Sequence, residues 1–90
     1  MIVVVLTYSS HDHKLLAVPE IVTRGFIYVK EADALMDELV RVVTESAEKC
    51  DEQHISDWNS IKTKVKTDLS GFLFKTTRRS PMILPVITEI

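Results

Sequence analysis

The chain is short of nearly everything that organises chemistry in a small protein. Its 90 residues include one cysteine, two glycines, three prolines and one tryptophan. The single cysteine, Cys50, excludes an internal disulfide and leaves no thiolate pair for a metal or redox motif, which points to a reducing, cytoplasmic setting. Gly25 and Gly71 are too few and too far apart for a phosphate-cradling loop. The longest apolar runs, residues 2–6 and 82–87, are far shorter than a bilayer requires, so no membrane partner is expected. No basic stretch precedes the first run, which therefore reads as a strand and not as a signal peptide. Because that strand starts one residue from the terminus, we expect the chain to be a piece of a longer polypeptide.

What is present describes one small domain over residues 1–90. The hydrophobic fraction of 46% is ordinary for a globular protein. A chain of this size buries only about 60 to 65% of its unfolded surface, so its own stability should be modest and a partner should support it. Residues 2–8 are β-branched and apolar over their first five positions, the pattern of a strand buried on both faces or at a sheet centre. A polar cluster at 9–14 turns the chain into a second apolar stretch, 15–23, that pairs back as a hairpin. Pro19 cannot donate a ladder hydrogen bond, so this strand belongs at an edge or breaks there. Arg24 and Gly25 mark a turn or bulge before 26–29.

From Ala32 to about Cys50, Leu35, Met36, Leu39, Val40, Val43, Ala47 and Cys50 recur three and four apart and trace one helix face. Residues 51–54 form a short polar connection. Ser56 is placed to cap a second helix with Asp57 in its first turn, and Trp58, Ile61, Val65, Leu69 and Phe72 make its apolar stripe. Gly71 should weaken the last turn or allow close packing. A charged turn, 76–81, leads to a third strand, 82–90, where Pro85 again argues for an edge. With proline in the second and third strands and none in the first, the order 2-1-3 leaves the fewest unmet ladders. The expected fold is a two-layer α+β (α/β) sandwich of β-β-α-α-β order: a three-stranded mixed sheet with two antiparallel helices on one face.

The residues offer little chemistry. His11, Asp12 and His13 are a plausible donor set, but adjacent residues on a turn need further ligands and support, and the ligand count favours a solvated hairpin. His54 reads as a surface residue. No serine stands in a nucleophile elbow, and Cys50 continues an apolar stripe, which favours burial over reactivity. The carboxylates of 31–52 recur at spacings that solvate an outer helix face. The net charge of −2 is unevenly distributed: 31–52 is acidic, whereas 62–79 carries Lys62, Lys64, Lys66, Lys75, Arg78 and Arg79. Arg78 and Arg79 on a turn suit phosphates or the carboxylates of a neighbouring domain. Against RNA stands the lack of a stacking platform, because Trp58, Phe72 and Phe74 are expected in the core. Arg24, Gly25, Phe26 and Tyr28 are the other candidate contacts, a turn and a pair of aromatics that a neighbouring domain or RNA could read.

The stretch PEIVTRGFIYVKE at 19–31, the DWxxIK at 57–62 and the terminal TRRSPMILPVITEI at 77–90 together resemble the carboxy-terminal domain of bacterial ribonuclease J. Pro19, Arg24, Gly25, Phe26, Tyr28, Trp58, Thr77, Arg79, Pro81, Met82, Pro85 and Glu89 keep the family pattern. Val18, Thr23, Ala32 and Ser80 depart from it, the last removing the second arginine beside the proline. The resemblance implies a parent with a metallo-β-lactamase domain and an inserted β-CASP domain, a hydrolase that acts as endoribonuclease and 5′-3′ exoribonuclease in RNA maturation and decay through two zinc ions. None of those catalytic or metal residues is expected here, nor any cofactor or activity of this fragment alone. The implied partners are the parent's own catalytic core, further ribonuclease J subunits in a homo- or hetero-oligomer, and RNA through the parent.

Overall fold

The computed structural model describes residues 1–12, 14–23, 32–55 and 57–90. The described elements run β1 (Ile2–Tyr8), β2 (Glu20–Thr23), α1 (Ala32–Glu52), α2 (Trp58–Thr77) and β3 (Ile83–Glu89). β1 lies between the other two strands, antiparallel to β2 and parallel to β3, which makes the sheet mixed with the order 2-1-3. Both proline-bearing segments thus fall at edges, where a missing N–H costs one ladder and not two. β1 alternates between fully and partly buried residues, so one of its faces meets the core, and of the two readings of its apolar run, burial on both faces or a place at the sheet centre, the second holds. A central position explains why the other face is β-branched too, since neighbours on both sides shield it.

The core forms between the inner sheet face and one stripe of each helix. Ile2, Val4, Leu6, Tyr8, Ile21 and Ile83 from the sheet meet Leu39, Val43 and Cys50 of α1 and Ile61, Val65, Leu69 and Leu73 of α2. The α2 stripe steps by four and takes Leu73, while Phe72 is only partly buried beside it. Trp58 packs edge-on against Tyr8, with ring centroids 5.2 Å apart. One polar contact enters this region: Ser46, which shares the α1 stripe, is buried and donates to Asp68 of α2 at 2.6 Å. Lys64 holds the same carboxylate at 3.3 Å, so the helices are tied by a satisfied triad.

Helix ends follow from specific residues. Asp57, expected in the first turn of α2, is instead its cap: its backbone is extended and its carboxylate accepts from the Ser60 amide at 3.2 Å. Ser56 lies outside the described residues. α1 closes with His54 at φ 58° in the left-handed region, its amide donating to Asp51 while the Ile55 amide donates to Cys50. That pair of bonds is a Schellman ending, with Ile55 tucked back onto the core. α2 continues through Gly71, which is exposed and faces open space for 4 Å around where a methyl group would stand, so the glycine neither ends the helix nor allows a close contact. The helix runs to Thr77, and Arg78 caps it at φ 61° with its amide on the Phe74 carbonyl.

Candidate functional site

Of the residues singled out for contact, Arg78 and Arg79 are described and exposed. Arg24, Gly25, Phe26 and Tyr28, together with strand 26–29 and His13, lie outside the described residues. Arg78 and Arg79 stand at the end of the domain where α2 finishes and β3 begins, beside the start of β1, whose Ile2 amide donates to the Met82 carbonyl. Lys75 adds a third cation there. Among the described residues none of the three enters a salt bridge, in contrast to Arg41, which is held by Glu38 and Glu45.

Phe74 corrects an expectation. It is 50% exposed rather than packed, and the Arg78 guanidinium sits over its ring, 5.8 Å from the centroid. On α2 it follows Leu73, which takes the core position, so its own side chain turns outward. The left-handed backbone of Arg78 folds the guanidinium back over the ring. Sequence spacing could not separate Phe72, Leu73 and Phe74, because three consecutive apolar residues fit any helical stripe.

The second surface is the outer face of the sheet. Val3 stands between Val22 of β2 and Leu84 of β3, and Val5 stands between Glu20 and Val86, by the strand registers. Both helices pack on the other face, so Val22, Leu84 and Val86 remain large apolar residues open to solvent. That open face gathers five aliphatic side chains beside one carboxylate, Glu20, in a contiguous apolar patch.

Cys50 is buried, and loss of hydration pushes its thiol up and away from the reactive thiolate. Burial, then the nearby Cys50 and Asp51, push Tyr8 up to about 12. Among the described residues no three His, Cys, Asp or Glu side chains gather closely enough to hold a metal ion. No described helix is long and apolar enough to cross a membrane.

The fold and its surfaces therefore define a small two-layer α+β domain with an open apolar sheet face and a cationic end. The ribonuclease J C-terminal domain family matches residues 1–90, and the chain belongs to that family. It is 39% identical over 88 residues to Ribonuclease J 2 of Staphylococcus saprophyticus, covering 98% of this chain and 16% of that protein. It is 38% identical over 94 residues to Ribonuclease J2 of Bacillus subtilis, covering 100% of this chain and 16% of that protein. Ribonuclease J 2 of Staphylococcus aureus is 38% identical over 88 residues, with the same 16% of its length covered. The chain thus spans about one sixth of the length of these curated relatives.

Proposed function

We propose that residues 1–90 are the carboxy-terminal domain of a longer ribonuclease J and that their work is assembly. The open sheet face carries this reading: Val3, Val5, Val22, Leu84 and Val86 form a self-complementary apolar surface that a second copy covers. The parent, on this reading, is a cytoplasmic zinc-dependent endoribonuclease and 5′-3′ exoribonuclease, and its catalytic groups belong to the remainder of the polypeptide. The domain contributes by holding subunits together and supporting the catalytic core. Sedimentation of the chain over a range of concentrations, beside Val5→Glu/Val86→Glu, tests it. Concentration-dependent dimers that the double variant loses support the reading, and a monomer at every concentration overturns it.

A second reading has its own observation. Phe74 is an exposed aromatic under a guanidinium, with Lys75 and Arg79 adjacent, which is the combination that stacks a base and neutralises phosphates. On this reading the cationic end adds RNA affinity to the parent. Anisotropy with a labelled single-stranded RNA should show binding that weakens steeply with salt and that Arg78→Ala/Arg79→Ala reduces. Absence of binding at low salt rejects it.

A further inference from the structure

The stretch joining β1 to β2 does not keep the ladder. Tyr8 opposes Leu15 in an isolated antiparallel bridge, whereas Val5 opposes Glu20. Three steps along β1 are therefore matched by five along the returning chain, and two residues are thrown out of the pairing. Pro19 stands where pairing is about to resume, unable to donate. Among the described residues the backbone groups of Ala17 and Val18 make no hydrogen bond. Leu16 and Val18 are 54% and 77% exposed, so the bulge presents aliphatic side chains as well as unpaired amides.

Between this bulge and the last turns of α1 lies a groove of about 670 Å³. Its lining is mainly apolar, with Leu16, Val18 and Pro19 from the bulge and Ala47 from the helix. Its charges are three carboxylates, Glu48, Asp51 and Glu52, against one ammonium, Lys14. Tyr8 also lines it, and the Tyr8 hydroxyl is the one buried side-chain polar atom among the described residues that lacks a hydrogen-bond partner. The groove is set apart from both surfaces already described, since α1 covers the inner face of the sheet and the cationic end lies at the far end of β1.

We propose that this groove binds an extended segment of a partner protein in which an aliphatic side chain stands beside an arginine or lysine. The aliphatic side chain enters among Leu16, Val18 and Ala47. The basic side chain meets Glu48, Asp51 and Glu52, whose excess over Lys14 selects a cation. The peptide backbone runs along Ala17 and Val18 and satisfies groups that the bulge leaves unpaired, as in strand addition at a sheet edge.

The test uses the whole chain and a blocked hexapeptide alternating leucine and arginine, with a leucine–glutamate peptide of the same length as the control. Trp58, the only tryptophan, touches Tyr8 and reports binding by fluorescence, and amide shifts locate it. Saturable binding of the arginine peptide, with shifts centred on Leu16, Val18 and Glu48, is the expected result. Glu48→Gln/Asp51→Asn/Glu52→Gln should weaken it about tenfold, the sum of several exposed ion pairs. Val18→Ser should weaken it about threefold, and it alters a side chain too exposed to affect folding. No saturable binding at low salt, equal binding of both peptides, or unchanged affinity in the triple charge variant overturns the proposal. Failure of assembly through the sheet face leaves each of these outcomes readable, because the substituted residues are not on that face.

Discussion

The two faces of the sheet are built from the same kinds of residue and end in opposite states. On the inner face Val4, Leu6 and Ile83 are covered by α1 and α2, and all are 3% exposed or less. On the outer face Val22 of β2 and Leu84 and Val86 of β3 are 36% to 48% exposed. Hydrophobicity alone does not say which face a helix will cover. The difference lies in connectivity: both helices are inserted between β2 and β3 and pack against the same side, leaving the other to something outside the described residues. Among the described residues, the apolar side chains of this sheet are covered on one face and exposed on the other.

The comparison breaks most visibly under truncation. Leu69→Ala, on the covered side at 0% exposure, should lower unfolding free energy by about 2 to 5 kcal/mol in denaturant titrations. Val86→Ala on the open face should cost the isolated monomer less than about 1 kcal/mol. Similar losses from both would mean that the outer face is already buried within the chain.

Alkaline titration separates the faces by a different property. Tyr8 is raised from 10.0 to about 12 in the folded state, chiefly by burial. The folded chain therefore holds its proton where the unfolded chain releases it. Stability from this group is complete below pH 10 and is lost as the pH rises towards 12. The loss should amount to at most about 3 kcal/mol. Tyr8→Phe, measured beside the parent chain by pH-dependent denaturation, should remove that part of the slope while leaving stability near neutral pH equal or higher, because the hydroxyl has no partner to lose. An unchanged slope would place the ring in water.

The solvent side of α2 offers the smallest and best defined change. Gly71→Ala puts a methyl group into open space in a helix interior and should raise the melting temperature, by about 1 kcal/mol of added stability. A loss instead would show that the glycine meets a neighbour.

Much of this fold was legible in the residues. Proline placed the second and third strands at edges, β-branching placed the first in the centre, and three-and-four spacing located α1. The interruption at Pro19 was legible too, but the two-residue bulge was not, because it depends on the register between Tyr8–Leu15 and Val5–Glu20, which no local pattern encodes. The Ser46–Asp68–Lys64 triad was hidden for a related reason: its members lie on two helices, and a serine in an apolar stripe does not name its partner. Phe74 was misread because Phe72, Leu73 and Phe74 are equally apolar, and only the placement of α2 on the sheet selects Leu73 for the core. Arg78 and Arg79 were found by charge alone, whereas the cation over the Phe74 ring required the left-handed cap.

The open sheet face is the centre of this account, and equilibrium sedimentation of the chain tests it most directly. The account predicts a mass that rises with concentration towards twice that of the monomer, and a Val5→Glu/Val86→Glu variant that stays monomeric with its helical signal intact. A chain that remains monomeric throughout the accessible range, or a variant that associates as the parent does, would contradict it.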